Sequence, residues 1–569
     1  MRLPHTLLLA AAMMPTAAAQ PTVPAGHPDT RATLQYIHNA WSALTRSMGS
    51  CPALVDTKVA TKTILYLPAD LPDPEGLEDV KRECRVEVRR LPRQIEKLAD
   101  VMPQELPAEG LLYLPYPYVV PGGRFNEMYG WDSYFILLGL EADEKTDLAR
   151  GMVENFLFEV EHYGGVLNAN RTYYLTRSQP PFLTSMIRAV LENPKSFADT
   201  DAGRAERQAW LANAYRLATK DYSLWIRPEH KAGNTGLARF FDYGEGPVPE
   251  MADDATYYAD VIRWMAAHPV AEEVNHYLVK ASEHPDAAEA ERLKETSCDI
   301  AASTVCRRAW AEGYRLSKDF YLGDRAMRES GYDPSDRFGR FSGSTHHYAP
   351  VCLNSLLYRY ERDMEHFAQE MGKSADAEMW AARAEARRAA IQKYLWQPKE
   401  GVFADYNFVL GKPSSYLYVT SLFPLWAGVA THEQAKQIRG KLGIYERAGG
   451  LSMSDTHSGL QWDEPFGWAP ANWLVVEGLR AYGYHTDAVR ISRRFLSTVD
   501  AGFAEDGTMR EKYNVVARNA NVEVGTGYKE NVIGFGWTNA VYLKMKELIE
   551  EGHRDTGTKG TGNREQSYR

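Results

Sequence analysis

The chain has 569 residues, a formal net charge of −10, 44% hydrophobic and 25% charged residues. These proportions are those of a folded globular protein and exclude a disordered or collagen-like chain. The negative balance argues against nucleic acid or an anionic membrane surface as partner.

The first nineteen residues differ in kind, with Arg2 and His5 ahead of the apolar run Leu7–Met14 and then Ala17-Ala18-Ala19. Such a stretch is expected to be a cleaved secretory signal, too short to span a bilayer. No other segment is apolar for long enough to form a membrane helix, so the mature chain is expected to be periplasmic or secreted and soluble. A Pro-rich leader, Pro21–Pro28, follows.

Apolar residues then recur at helical spacing. Leu148, Met152, Phe156 and Val160 mark one helix, and Trp210, Leu211, Ala214, Leu217, Ala218, Leu224 and Trp225 another. Further stretches fall at Leu356–Met371, Trp380–Leu395, Trp473–Tyr482, Ala488–Val499 and Val541–Ile549. Each predicts an amphipathic helix of about three turns or more. Strand signals are few, chiefly Leu111–Val120 broken by Pro115 and Pro117. No strand–helix alternation suggests a parallel sheet, so the chain reads as nearly all-α, with long aromatic and Gly/Pro-rich loops. From Glu551 onward the residues are Gly-, Thr- and charge-rich, and a disordered tail is expected at 551–569.

Five cysteines occur, at 51, 84, 298, 306 and 352. Cys51–Cys84 and Cys298–Cys306 are possible pairs, but sequence does not choose between connectivities. An odd count leaves one thiol over, most simply Cys352. With no C-x-x-C pair and no clustered His/Cys set along the chain, a structural zinc site is not expected.

The chemistry concentrates in a few segments. Residues 121–134 place Arg124, Glu127 and Asp132 among Phe125, Tyr129, Trp131 and Tyr134, behind Gly122-Gly123. Flat aromatic faces cover the apolar faces of a sugar ring, and fixed charges bind its hydroxyls, so this mixture suits a carbohydrate site. Aromatic-rich loops also occur as plain core. The same chemistry recurs at 168–182, 331–337, 461–470 and 511–537. Asp333 and Glu511 stand out as carboxylates for acid/base work, although Asp333 could instead cap a helical turn after Pro334. Among 75 acidic residues, spacing alone does not choose a catalytic pair.

Pro121–Tyr134 resembles the first signature of the trehalases, glycoside hydrolase family 37, and Gln461–Pro470 resembles the second. Arg177–Pro181, Ser330–Asp333, Leu353-Asn354 with Leu357-Tyr358, Glu511–Tyr513 and Gly534–Asn539 resemble further family motifs, in the family's order. The resemblance runs from about residue 110 to 545. It implies a single (α/α)6 toroid over residues 20–550 with long catalytic loops, acting on a small disaccharide; a monomer is favoured, but the sequence does not give the oligomeric state. It implies inverting hydrolysis of α,α-trehalose to two glucoses with no metal or organic cofactor. By motif position Asp333 would be the general acid and Glu511 the general base. Arg124, Trp131, Asp132, Asn168, Arg177, Ser178, Gln179, Glu250, Gly331 and Trp462 would contact sugar, and Arg337 would bind a hydroxyl or order another acid.

Two segments depart from the family pattern. Where relatives carry Arg-Pro-Glu, this chain has Val248-Pro249-Glu250, so a sugar-binding arginine is missing. The glycine-rich lid ending in Glu-Tyr is replaced by residues 521–531, in which Glu523 or Glu530 could supply the lost contact. These departures keep two alternatives open. One is a related inverting α-glucosidase with another aglycone, and the other is a non-catalytic sugar-binding protein on the same fold.

Overall fold

A computed structural model describes residues 30–557 apart from 56–62, 253, 255, 270–275, 297, 299–303 and 526–528. The leader at 1–19 lies outside the described residues.

Six inner helices make a closed ring. Gly130–Ala142 packs on Leu183–Glu192, which packs on Val351–Glu370. That helix meets the short Phe423–Ala427, followed by Ala469–Ala481 and Gly536–Gly557, and the last returns to Gly130–Ala142. Around them lie Arg31–Leu44, Thr146–His162, Asp201–Trp225, Ser374–Tyr394, His432–Arg439 and His485–Asp506. The fold is the all-α (α/α)6 toroid.

The sequence pattern explains which helices go where. Gly130–Ala142 is buried on nearly every side and has no polar stripe, as an inner helix must. His485–Asp506 buries one stripe, Ala488, Ile491, Phe495 and Val499, and presents its other faces outward. Gly139 permits the closest approach in the ring, since a Cβ there would lie 2.5 Å from Ala540 Cα.

Four features differ from the sequence expectation. A small parallel sheet orders Glu87–Arg90, Ile64–Leu67 and Leu111–Leu112, with Leu65 opposite both Val88 and Leu111. Its central strand is a fully buried apolar run of four residues, too short to carry a periodicity signal. The expected strand at 111–120 is two short ones, Leu111–Leu112 and Tyr118–Val119, parted by the prolines. The last helix runs past 551 to Gly557, because it continues an inner helix already anchored in the ring. Finally, the aromatic clusters are not purely loops: Trp131, Asp132 and Tyr134 sit on the first turns of an inner helix, and Trp537 and Thr538 on those of another.

Between the ring helices Asp201–Trp225 and Val351–Glu370 the chain forms an insertion with its own apolar core, including Val248, Tyr257, Tyr258, Ile262, Phe320, Tyr321 and Phe341. Helices Tyr257–Ala267 and Lys318–Ser330 and the pairing of Leu278–Lys280 with Tyr314–Leu316 build it. The disulfides are Cys51–Cys84 and Cys298–Cys306, and Cys352 is a buried free thiol.

Arg337 ties the insertion to the ring. Its Nε and Nη2 donate to the Asp405 carboxylate at 2.8 Å each, and Asp405 also accepts the Val351 N–H at 2.8 Å. The guanidinium lies over the Phe338 and Tyr418 rings, each 4.6 Å to centroid. Asp405→Ala would leave the Arg337 charge buried without its partner. We expect a loss of about 3–5 kcal/mol in chemical denaturation, measured as a fall in midpoint at unchanged slope.

Candidate active site

One cavity of about 490 Å³ opens at the end of the ring where several inner helices begin. Its size is that of small-molecule sites. Of the expected catalytic and sugar-contact residues, Asp333, Glu511, Arg124, Trp131, Asp132, Asn168, Arg177, Gln179, Glu250, Gly331 and Trp462 line it, and Ser178 does not. That hydroxyl donates to the Val166 carbonyl at 2.6 Å, and its N–H lies 3.3 Å from Glu329 Oε1. Ser178 thus helps to shape the loop behind the cavity, off the lining where a sugar contact was expected.

One wall is aromatic. Trp462 and Trp468 stack face to face at 3.7 Å and 5° between planes. Trp131 and Trp537 stand roughly perpendicular, with centroids 5.8 Å apart. Trp468 Nε1 donates to Gln461 O and Trp537 Nε1 to Glu511 O, so each indole is held by the backbone of a site segment. Gly331 ends the Lys318–Ser330 helix at φ 77°, and a Cβ there would come within 3.0 Å of the Trp131 ring. Glycine satisfies both constraints, the left-handed backbone and the close indole.

The opposite wall is charged. Arg177 forms an ion pair with Glu250 and lies 3.6 Å from Asp242. Its Nε and Nη2 also donate to Asn168 Oδ1, at 3.2 and 2.8 Å. Burial raises the Glu250 carboxyl, but Arg177 and Arg328 outweigh it and hold it below the usual range. Gln179 Oε1 accepts the Trp131 N–H at 2.9 Å, joining this wall to the inner helix.

Several carboxylates line this cavity, and among them Glu511, Asp132, Asp333 and Glu250 differ in their surroundings. Glu511 pairs with Lys512 Nζ at 2.9 Å, and that ammonium is itself fully buried. Asp132 is pushed well above the usual range by burial first and by the charges of Glu511 and Asp333 next. Burial pushes Asp333 up to about 6 against the nearby Arg328 and Arg177 cations, with Glu250 and Asp324 adding to the rise. Arg328 Nη1 lies 3.6 Å from Asp333 Oδ2. Asp333 caps no helix, since residues 332–336 are irregular. Instead its carbonyl accepts from Gln461 Nε2 at 2.5 Å.

Sequence reasoning missed Arg328, a buried arginine on a helix that supplies a cation to this wall. It bears on the missing family arginine, because Val248 does not face the cavity. Val248 is fully buried in the insertion's apolar core, and its N–H donates to Tyr258 Oη at 3.0 Å. An arginine placed there would be buried in that core rather than in the site. Arg337 points away too, committed to Asp405. Glu127, noted in the first signature, is buried against Arg171 at 2.5 Å.

In the loop that replaces the glycine-rich lid, Glu523 is exposed and does not line the cavity. Glu530 does line it, and accepts from Arg124 Nη1 at 2.5 Å across the mouth.

The combination of an α/α toroid with an aromatic-walled, carboxylate-rich cavity at one end is that of a glycoside hydrolase. The trehalase family model matches residues 14–550, so the chain belongs to the trehalase family. A cytosolic neutral trehalase of Saccharomyces cerevisiae is 34% identical over 575 residues, covering 91% of this chain and 71% of the relative. A cytosolic neutral trehalase of Kluyveromyces lactis is 32% identical, with 94% and 73% covered. The structure of neutral trehalase Nth1 from Saccharomyces cerevisiae superposes with a TM-score of 0.74 at 34% identity, covering 93% of this chain and 96% of that one.

These relatives correct the expectation of a periplasmic or secreted protein: they are named cytosolic enzymes, which points to the cytoplasm rather than export. A short apolar run before small residues is a compositional signal, and here it is outweighed by relatives that match along nearly the whole chain. Among the described residues no helix is long and apolar enough to cross a membrane.

The mouth of the cavity yields a test. The Arg124–Glu530 pair is partly exposed and is worth about 0.2–1 kcal/mol. Glu530→Ala is therefore expected to raise KM for trehalose by up to about fivefold with little change in kcat, while Glu523→Ala behaves as the parent. Steady-state kinetics of the two variants side by side decides this.

Proposed function

We propose that this trehalase hydrolyses α,α-trehalose to two glucoses with inversion, using Asp333 as general acid and Glu511 as general base. The observation that carries the reading is the unequal environment of the two carboxyls in one cavity. Asp333 has its proton affinity raised to about 6 by burial, while Glu511 is paired with a buried ammonium. A proton donor and a proton acceptor of the same chemical type are told apart in just this way.

The Asp333 carboxyl gives its proton to the glycosidic oxygen as the bond to the anomeric carbon breaks. On the other face of the ring, Glu511 takes a proton from the attacking water, whose oxygen becomes the new anomeric hydroxyl. Inverting pairs stand about 6.5–9.5 Å apart, leaving room for that water. Trp131, Trp462 and Trp468 offer faces to the pyranose rings. Arg124, Asp132, Asn168, Arg177, Gln179 and Glu250 bind hydroxyls, and Gly331 lends a backbone group. Asp132, strongly disposed to hold a proton, acts as a donor to a sugar oxygen. No metal or organic cofactor enters these steps. We treat residues 20–550 as one catalytic unit acting as a monomer.

Asp333→Asn and Glu511→Gln should each stay folded and lose at least about 10²–10⁴-fold in kcat, the usual worth of positioned acid/base groups. Near-parental turnover in either variant removes that residue from its role. Proton NMR at early times should show β-glucose appearing together with α-glucose, before mutarotation. An initial product that is entirely α-glucose means retention and excludes Glu511 as the base that activates water.

The acid must be protonated, so kcat/KM should fall as pH rises through about 6. Arg328 favours the ionised form of Asp333. Arg328→Gln should therefore move this alkaline limb to higher pH, by about one pH unit. A limb that stays in place or moves down separates Asp333 from the profile.

A further inference from the structure

Outside the catalytic cavity, the insertion brings together side chains from distant parts of the sequence. Asp319 stands in the first turn of the Lys318–Ser330 helix. His346 and His347 are consecutive on the turn Thr345–His347, with ring centroids 4.0 Å apart. One ligand-type atom from each of the three falls within 4.8 Å of the others. His346 Nε2 is 3.0 Å from Asp319 Oδ1 and His347 Nε2 is 3.9 Å from the same oxygen. A fourth group, His276 Nε2, lies 3.3 Å from Asp319 Oδ2.

These separations are those of a metal's ligands. With bonds of about 2.0–2.1 Å in tetrahedral array, nitrogen and oxygen donors around zinc lie about 3.3 Å from one another. Hydrogen bonding alone serves the cluster poorly. One carboxylate faces three imidazoles, and His346, which turns its Nε2 toward it, is buried. Asp319 and His347 keep 38% and 26% of their side chains exposed, so an ion has a path in from solvent.

We propose that Asp319, His346 and His347 bind a divalent transition metal of the zinc class, with His276 turning in as the fourth ligand. Imidazole and carboxylate donors suit Zn²⁺, and four protein ligands leave no open position for chemistry, so the site is structural. The ion joins the segment at 276, the start of the Lys318–Ser330 helix and the turn before Val351–Glu370. The far end of that helix carries Arg328 and Gly331 into the catalytic cavity. At 1.5 Å per residue, Asp319 and Arg328 are about 13 Å apart along the helix, so the metal would brace the support of Asp333 without touching substrate.

The test uses the full chain, freed of any affinity tag and stripped with a chelator. Titration with Zn²⁺ in a calorimeter should show one tight site per chain. Co²⁺ in its place should give the intense visible absorption of a tetrahedral ion. Saturating Zn²⁺ should raise Tm by at least about 4 °C. Asp319→Asn and His347→Gln should each weaken Zn²⁺ binding by about 100-fold or more and abolish the cobalt band. His276→Gln, at a more exposed position, should weaken binding while leaving the metal-free Tm unchanged. The proposal is overturned if the parent binds no Zn²⁺ stoichiometrically, or if the Asp319 and His347 variants bind it as the parent does. It is also overturned if the cobalt spectrum is that of a six-coordinate hydrated ion. These readouts do not involve trehalose, so they stand apart from the assignment of Asp333 and Glu511.

Discussion

Bringing several carboxylates, among them the buried Asp132, Asp333 and Glu250, into one cavity is the constraint around which this molecule is arranged. Each ionised group removed from water costs several kcal/mol unless a counter-charge or hydrogen bonds replace the solvent. Glu511 and Glu250 are compensated, by Lys512 and Arg177. Asp132 is raised by burial and by the charges of Glu511 and Asp333, and in Asp333 burial outweighs the nearby Arg328 and Arg177, so both are shifted toward the protonated form. In the proposed mechanism this difference in surroundings is what suits Asp333 to give a proton.

The cations that impose this division are themselves expensive to bury, and the fold answers each with a second layer of acids. Arg328 is held by Asp324 one turn earlier on its helix, and Arg177 by Asn168 and Asp242. Asp242 in turn binds Arg325 at 2.8 Å. Aromatic faces do part of the same work, since Arg177 lies over Tyr174 and Lys512 over Trp468. The network needs rigid carriers. Trp131, Asp132 and Trp537 are placed on the opening turns of packed inner helices, whose backbones cannot shift without disturbing the ring.

Sequence showed the outer architecture more readily than the inner. Ser374–Tyr394 and His485–Asp506 touch solvent on some faces, and the latter announces itself by an apolar stripe. Gly130–Ala142 is apolar nearly all round, so it carries no such stripe and reads as part of an aromatic loop. Composition placed sugar-like chemistry at the correct segments, but it could not select two acids, because what distinguishes Asp333 and Glu511 is their neighbours in space. Family resemblance points to that pair, and the catalytic and sugar-contact residues it implies, other than Ser178, line one cavity. It failed where a contact moved: Val248 shows a missing arginine, whereas Arg328 reaches the cavity from a different helix. The Asp319–His346–His347 cluster was invisible for the same reason, since Asp319 is far in sequence from the adjacent histidines.

The proposed acid and the proposed base belong to different parts of the fold. Asp333 follows a helix of the insertion, which has its own apolar core, while Glu511 lies beside the pairing of Phe466–Gly467 with Tyr513–Asn514. Their mutual geometry therefore depends on how the insertion seats on the ring. The segment at 460–463 is the clamp. Leu460 joins the insertion's core, Gln461 donates to the Asp333 carbonyl, and the Trp462 N–H lies 3.3 Å from the Pro334 carbonyl. Buried Asp463 accepts the Asp336 N–H at 2.9 Å and is fixed from behind by the hydroxyls of Ser458 and Tyr416, at 2.6 Å each. The same stretch stacks Trp462 on Trp468 in the aromatic wall. Substrate stacking and the position of the acid are thus set by one short segment, so a change that loosens it disturbs both at once. Motif residues around a catalytic loop can in this way matter for catalysis without touching the sugar.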